Sequence, residues 1–149
     1  MTGELCVDAS VAIKWYVPEE SRDQAVALLQ ECRDLGIQIV VPDHFFSEAG
    51  NGIWRAALRG AISTESGLAA LSLLPGLNIE TFDVRDLYTD AWRIAARFSR
   101  PTVYDAYYVA LSEQRGCDLW TADERLLNAM PGITCIKHIK DFLPGTLAP

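Results

Sequence analysis

Leu5-Cys6-Val7-Asp8, residues 5–8, is an apolar run of strand length that stops on an acid. It shows no polar alternation, which is the pattern of a strand covered on both faces. A second short run, Leu119-Trp120-Thr121-Ala122-Asp123, has the same character and also ends on an acid. Working outward from these two, strand-length and helix-length segments alternate along the whole chain. Residues 4–8 are predicted as a strand, and a helix follows through Ser10 to Trp15. Pro18 interrupts, and a second helix runs from about Ser21 to Leu35, with Gly36 as its C-cap. Ile37 to Val41 is β-branched and reads as a strand. Pro42 is placed in the first turn of the next helix, which continues to Arg59. Residues 64–74 form another helix, ended by Pro75-Gly76. Asn78 to Phe82 reads as a strand, 85–99 and 102–115 as helices, Leu119 to Thr121 as a strand, 123–130 as a short helix and Thr134 to Ile136 as a last strand. Alternation of this kind implies an α/β fold, a three-layer α/β/α sandwich around a mainly parallel sheet.

The chain has 149 residues, half of them hydrophobic. That is enough for one domain, residues 1–149, with a sizeable core, and it excludes a disordered chain. No apolar run is long enough to span a bilayer. The start, Met1-Thr2-Gly3-Glu4-Leu5, lacks a basic segment ahead of an apolar one. Cys6, Cys32, Cys117 and Cys135 have no metal-type spacing and are expected to be free thiols. A cytoplasmic location follows as the expectation. The net charge of −7, from 20 acids and 13 bases, argues against broad affinity for nucleic acid but leaves room for a local basic track.

Four acids stand where packing alone does not call for them: Asp8, Glu48, Asp105 and Asp123. In parallel sheets ligands bind beyond the carboxyl ends of the strands, which is where Asp8 and Asp123 fall. Glu48 shares a helix face with Phe45, Ala49, Gly52 and Ala56, a face expected to pack on the sheet. Burial of that carboxylate calls for a partner, with a nearby Arg as the ordinary choice. Each remaining acid also has a structural alternative. Thr102 to Asp105 fits a capping box, and Asp8 and Asp123 fit helix N-caps. Together the four form a set of hard oxygen donors suited to Mg²⁺ or Mn²⁺. Ser10 and Thr121, each two residues from an acid, suit either capping or the orientation of a carboxylate. His44 and His138 are isolated and read as ordinary polar residues.

Val7-Asp8-Ala9-Ser10-Val11, Ser47-Glu48-Ala49-Gly50-Asn51, Tyr104-Asp105-Ala106 and Thr121-Ala122-Asp123-Glu124-Arg125-Leu126 resemble the successive motifs of PIN domains, most closely the VapC type. The resemblance covers roughly residues 4 to 140. It implies a metal-dependent endoribonuclease, a toxin silenced by a small cognate antitoxin, and commonly a homodimer. By motif, Asp8, Glu48, Asp105 and Asp123 correspond to the catalytic acids; Asp8, Asp105 and Asp123 are expected to ligate the metal directly or through water, with Glu48 holding a water or completing the shell. Ser10, Thr121 and Asn51 correspond to the polar positions beside them. The alternative within the family is a catalytically silent RNA-binding or scaffold module.

RNA needs positive charge. Arg93, Arg97 and Arg100 lie at helical spacing on a stripe leading toward Asp105, and Arg55 and Arg59 form a second pair beyond Glu48; both are candidate phosphate contacts, the alternative being a solvated helix face with local pairs such as Asp90–Arg93. Trp54, Trp92 and Trp120 are expected in the core. Trp15, Tyr16, Phe45 and Phe46 are candidates for an antitoxin groove or a dimer contact. Two other uses of an acid after the first strand fit less well. A phosphatase of the haloacid-dehalogenase kind needs a second Asp at position 10, where Ser10 stands. A receiver domain has its phosphoacceptor candidate in Asp83 but lacks the paired acids on the first strand.

Overall fold

The computed structural model describes residues 3–147. Five strands, β1 (Glu4–Val7), β2 (Gln38–Pro42), β3 (Ile79–Phe82), β4 (Leu119–Thr121) and β5 (Ile136–His138), form one sheet in the order β3-β2-β1-β4-β5. Every neighbouring pair is parallel. Leu5, Cys6 and Val7 are all buried, as are Ile39, Val40 and Val41. Successive strand residues point to opposite faces, so both faces of the sheet are covered and three layers result. Helix α6 (Tyr104–Arg115) lies across β1, β2 and β4, and α5 (Tyr88–Arg97) packs on α6. Helix α1 (Ala9–Lys14) contacts α2 (Arg22–Leu35) and α3 (Phe45–Leu58), and α3 also carries α4 (Thr64–Leu73). A last helix, α7 (Glu124–Ala129), joins β4 to β5.

The chain winds outward from β1 to β3, then returns to build β4 and β5 on the other side of β1. The order reverses between β1 and β4. Parallel sheets bind ligands at the carboxyl ends of the strands beside such a reversal, and Asp8 and Asp123 follow β1 and β4 there.

Several boundaries differ from expectation for identifiable reasons. Pro42 ends β2 rather than opening a helix, and α3 starts at Phe45. The ladder between β1 and β2 runs only to the Cys6–Val40 pair, so the missing N–H of Pro42 lies beyond it. The capping box at Thr102 does not form. Val103 is the N-cap of α6, and no side chain caps that helix. Residues 84–87 are a 3₁₀ turn whose entry is capped by Asp83, so the helix predicted from 85 starts at Tyr88. The last strand is shifted to Ile136–His138, where it pairs with β4. Gly36 does terminate α2, in the left-handed region that suits glycine. All four cysteines are free thiols.

Of the three tryptophans expected in the core, only Trp120 is buried; Trp54 is 55% exposed and Trp92 74%. Helix periodicity turns Trp54 and Trp92 outward, because Ile53 and Ala56 of α3 and Ala91 and Ile94 of α5 already fill the inward stripe. Trp15 and Phe45 are buried and unavailable as a docking groove. The Trp15 indole N–H donates to the Ala25 carbonyl at 3.0 Å. Tyr16 and Phe46 pack partly buried against the same core.

Candidate active site

Asp8 follows β1 and caps α1. Its Oδ1 accepts the Ser10 backbone N–H at 3.0 Å and the Ser10 hydroxyl, and its Oδ2 accepts the Thr121 hydroxyl. Ser10 Oγ in turn accepts the Ala122 N–H at 2.8 Å, and Thr121 Oγ1 accepts the Asp123 N–H at 3.0 Å. The turn after β1 is thereby stitched to the turn after β4. Asp8 is 6% exposed. Burial pushes its carboxyl up from 3.8 to about 6, against the pull of Ser10 and Thr121, and the charge of Asp105 adds to the rise.

Asp123 caps α7 through the Arg125 N–H at 2.9 Å, with the Arg125 Nε at 3.4 Å. Asp105 lies in the first turn of α6, and Arg100 Nη2 stands 3.9 Å from its Oδ2. Its carboxyl is also raised, by burial first and then by the charges of Glu48 and Asp123, with Arg100 opposing. Asp8, Glu48, Asp105 and Asp123 are thus linked through one electrostatic neighbourhood although they come from four separate elements.

Glu48 is partnered, but by no arginine. Tyr108 Oη donates to Glu48 Oε1 at 2.7 Å, and His44 Nε2 lies 3.1 Å from the same oxygen. Burial pushes the Glu48 carboxyl up, and the contacts with His44 and Tyr108 more than reverse that, leaving it below the usual carboxylate range. The Tyr108 phenol is pushed well up by its own burial beside this charge. His44, read from the sequence as an isolated polar residue, lies directly against Glu48. The only signal for it in the sequence was the spacing of four from Glu48 along one helix. Tyr108, sixty residues away on another helix, carried none.

The supporting residues divide. Ser10 and Thr121 bond Asp8 directly. Asn51 is exposed on α3, and no hydrogen bond ties its side chain to the acids among the described residues. Of the arginine stripe, Arg100 reaches the site. Arg93 pairs with Asp90 at 3.5 Å, and Arg97 stacks on the Phe98 ring at 4.8 Å. Arg59 is bonded to Glu19 at 2.9 Å.

Four carboxylates with two pKa values raised by burial and mutual repulsion fit a hard divalent cation in donor chemistry. The fit is not preassembled. Among the described residues no three Asp, Glu, His or Cys side chains stand close enough to form a metal shell. The carboxylates are spread around the switch point, and a cation would have to draw them together.

Acids thus follow two neighbouring parallel strands, joined at the switch point by a hydroxyl network, with Glu48 on α3 and Asp105 on α6 beside them. The PIN domain model matches residues 5–131, and the chain belongs to that family. Its curated relatives narrow the class. Ribonuclease VapC3 of Pyrobaculum aerophilum is 31% identical over 134 residues, 87% of this chain and 97% of the relative. Ribonuclease VapC9 of Mycobacterium tuberculosis is 33% identical over 122 residues, 82% of this chain and 87% of the relative. Within the PIN domains this chain therefore stands with the VapC proteins. The fold agrees. The crystal structure of PAE2754 from Pyrobaculum aerophilum superposes with a TM-score of 0.61, covering 94% of this chain and 93% of that one at 23% identity.

Proposed function

We propose that this chain is a metal-dependent endoribonuclease of the VapC type, the toxin of a toxin–antitoxin pair, working in the cytoplasm. The observation that supports the reading is that Asp8, Glu48, Asp105 and Asp123 share one electrostatic neighbourhood at the switch point of the sheet, where Asp8 and Asp105 are raised by burial first and by neighbouring carboxylates second. The relatives' names, ribonucleases at about a third identity over most of the chain, support the same conclusion. No helix of the described residues is long and apolar enough to cross a membrane.

Asp8, Asp105 and Asp123 would hold Mg²⁺ or Mn²⁺. When bound, such an ion lowers the pKa of a water and offsets charge on the phosphate. The protein residues do the rest. Ser10 and Thr121 fix the Asp8 carboxylate by donating to both of its oxygens. Glu48 has Oε1 engaged by Tyr108, which leaves its other oxygen to hold the attacking water. Arg100, beside Asp105, offers its guanidinium to the scissile phosphate. Hydrolysis leaves a 5′-phosphate and a 3′-hydroxyl. The partners that go with this reading are an RNA substrate, a cognate antitoxin protein and a second copy of the chain. Apolar side chains exposed on α3 and α4, Trp54, Leu58, Leu68 and Leu71, are available to the protein partners.

The test is purified protein with total RNA in Mn²⁺, in Mg²⁺ and in EDTA, beside Asp105→Asn. Fragments with 5′-phosphate ends are expected with metal only, and none from the variant. RNA that is bound but left whole under all three conditions refutes the enzyme in favour of a silent RNA-binding module. Undiminished cutting by folded Asp105→Asn refutes the site.

A further inference from the structure

We infer that His44 is a positioning residue for Glu48: its Nε2, 3.1 Å from Glu48 Oε1, and the Tyr108 hydroxyl, 2.7 Å from the same oxygen, hold that carboxylate in one orientation. The inference rests on the nuclease reading of Glu48 and goes beyond it by naming what keeps this acid in place.

His44 occupies the N-cap of α3, yet its side chain caps nothing. The ring is turned inward against three tyrosines of α6. Its centroid lies 4.9 Å from that of Tyr108, 5.3 Å from Tyr107 in an edge-on contact, and 6.2 Å from Tyr104. Both ring nitrogens are buried, and neither has an aligned hydrogen bond within the chain. The Nε2 contact with Glu48 is close, but it lies off the N–H direction. A phenyl or leucyl side chain would fill this aromatic cage without removing two polar atoms from water. The imidazole is therefore a cost to packing, and the group it reaches is the Glu48 carboxylate.

Glu48 has reason to need such a holder. Its side chain is long, partly exposed, and has rotamer freedom that a water-holding base must give up. Tyr108 alone leaves the carboxylate free to swing about one hydrogen bond. A second contact from another direction removes that freedom. The two holders also come from different elements. His44 precedes α3, whereas Tyr108 is on α6 three residues after Asp105. The clamp therefore ties the position of Glu48 to the helix that carries Asp105.

The discriminating variants are His44→Phe, which fills the cage without nitrogens, and His44→Gln, which returns a side-chain N–H donor. His44→Phe is expected to lower kcat for metal-dependent RNA cleavage by about 10- to 100-fold, with KM within about threefold of wild type. His44→Gln should recover most of that loss, and Tyr108→Phe should reproduce it. A crystal structure of metal-free His44→Phe supplies a readout that needs no activity: Glu48 should lose its single position while the fold persists. Wild-type kcat in His44→Phe, or an unmoved Glu48 in its structure, overturns the inference. So does a His44→Gln variant as impaired as His44→Phe, since the ring rather than the nitrogen would then matter. If wild-type protein cuts no RNA with either metal, the nuclease reading falls, and the position of Glu48 in the variant still decides whether His44 holds it.

Discussion

Replacing Asp8 by asparagine should stabilise the metal-free protein while abolishing cleavage. Asp8 is buried beside Asp105, and its carboxyl is raised from 3.8 to about 6. A carboxyl that is raised on folding holds its proton more tightly in the folded chain than in the unfolded one. The stability it contributes is complete below 3.8, is lost as pH climbs through about 6, and is absent at pH 7.5. The rise corresponds to about 3 kcal/mol at neutral pH, taking about 1.4 kcal/mol per pKa unit. Asparagine is never charged and escapes that loss. It keeps the cap on α1, because its carbonyl can still accept the Ser10 N–H. Its amide N–H₂, however, would face Thr121 Oγ1, whose proton must turn away, costing about 1 kcal/mol. A net gain of about 1–2 kcal/mol remains, equivalent to a Tm higher by roughly 2–8 °C for a chain of this size. Urea unfolding in EDTA at pH 7.5 and pH 4.5 measures it. Asp8→Asn should be the more stable protein at pH 7.5, and the advantage should vanish at pH 4.5, where wild-type Asp8 is protonated. Added Mn²⁺ should stabilise wild type and leave the variant unmoved. A variant less stable than wild type at pH 7.5 in EDTA, or an advantage independent of pH, refutes the reasoning.

Ser10→Ala removes a donor to Asp8 and the acceptor of the Ala122 N–H together; it should cost about 1–3 kcal/mol in urea unfolding and lower cleavage by about 10- to 100-fold. Arg100→Ala should weaken RNA binding measured in EDTA and reduce the slope of log K against log salt by about 1, whereas Arg93→Ala, on the far side of its pair with Asp90, should change neither. Gly52→Val should destabilise the fold by about 1–3 kcal/mol, because even a Cβ at Gly52 would lie 2.0 Å from Ile13 Cδ1, where α1 and α3 meet; a melting temperature equal to wild type would show that Ile13 simply moves aside.

The alternation of elements and the acids at the ends of β1 and β4 were legible because they depend on local sequence. An apolar run without alternation marks a doubly covered strand, and an acid at its end falls where a parallel sheet binds ligands as well as where a helix is capped. The errors came where tertiary packing decides. Pro42 reads as a helix opener locally, and only the register of β1 on β2 explains why a strand tolerates it. Trp54 and Trp92 look like core by residue type, but the inward stripes of α3 and α5 are filled by Ile53, Ala56, Ala91 and Ile94. The structural alternative for Glu48 was an ion pair with a nearby arginine, because charge suggests charge. The fold instead supplies a phenol from α6 and an imidazole from the preceding turn, and no rule of spacing leads from Glu48 to Tyr108.

For Asp8 and Asp123 the capping reading and the functional reading turn out to be one arrangement. Both acids cap the helices that follow them. Capping uses one oxygen of each, and it fixes each carboxylate at the start of its turn. The rest of the network concerns the gap between the turns. Ser10 serves Asp8 and accepts from Ala122, while Thr121 serves Asp8 and accepts from Asp123. Neither helix needs those crossed contacts for its own capping. They tie the Asp8 carboxylate to the turn that carries Asp123, and they do so with neutral hydroxyls that leave the charge intact. A site built only for stability would place a lysine or arginine between Asp8 and Asp105. Here Arg100 stands 3.9 Å from Asp105 and Arg125 3.4 Å from Asp123, but among the described residues no cationic side chain pairs with the buried Asp8, and an unpaired Asp8 is what the proposed metal-binding role calls for.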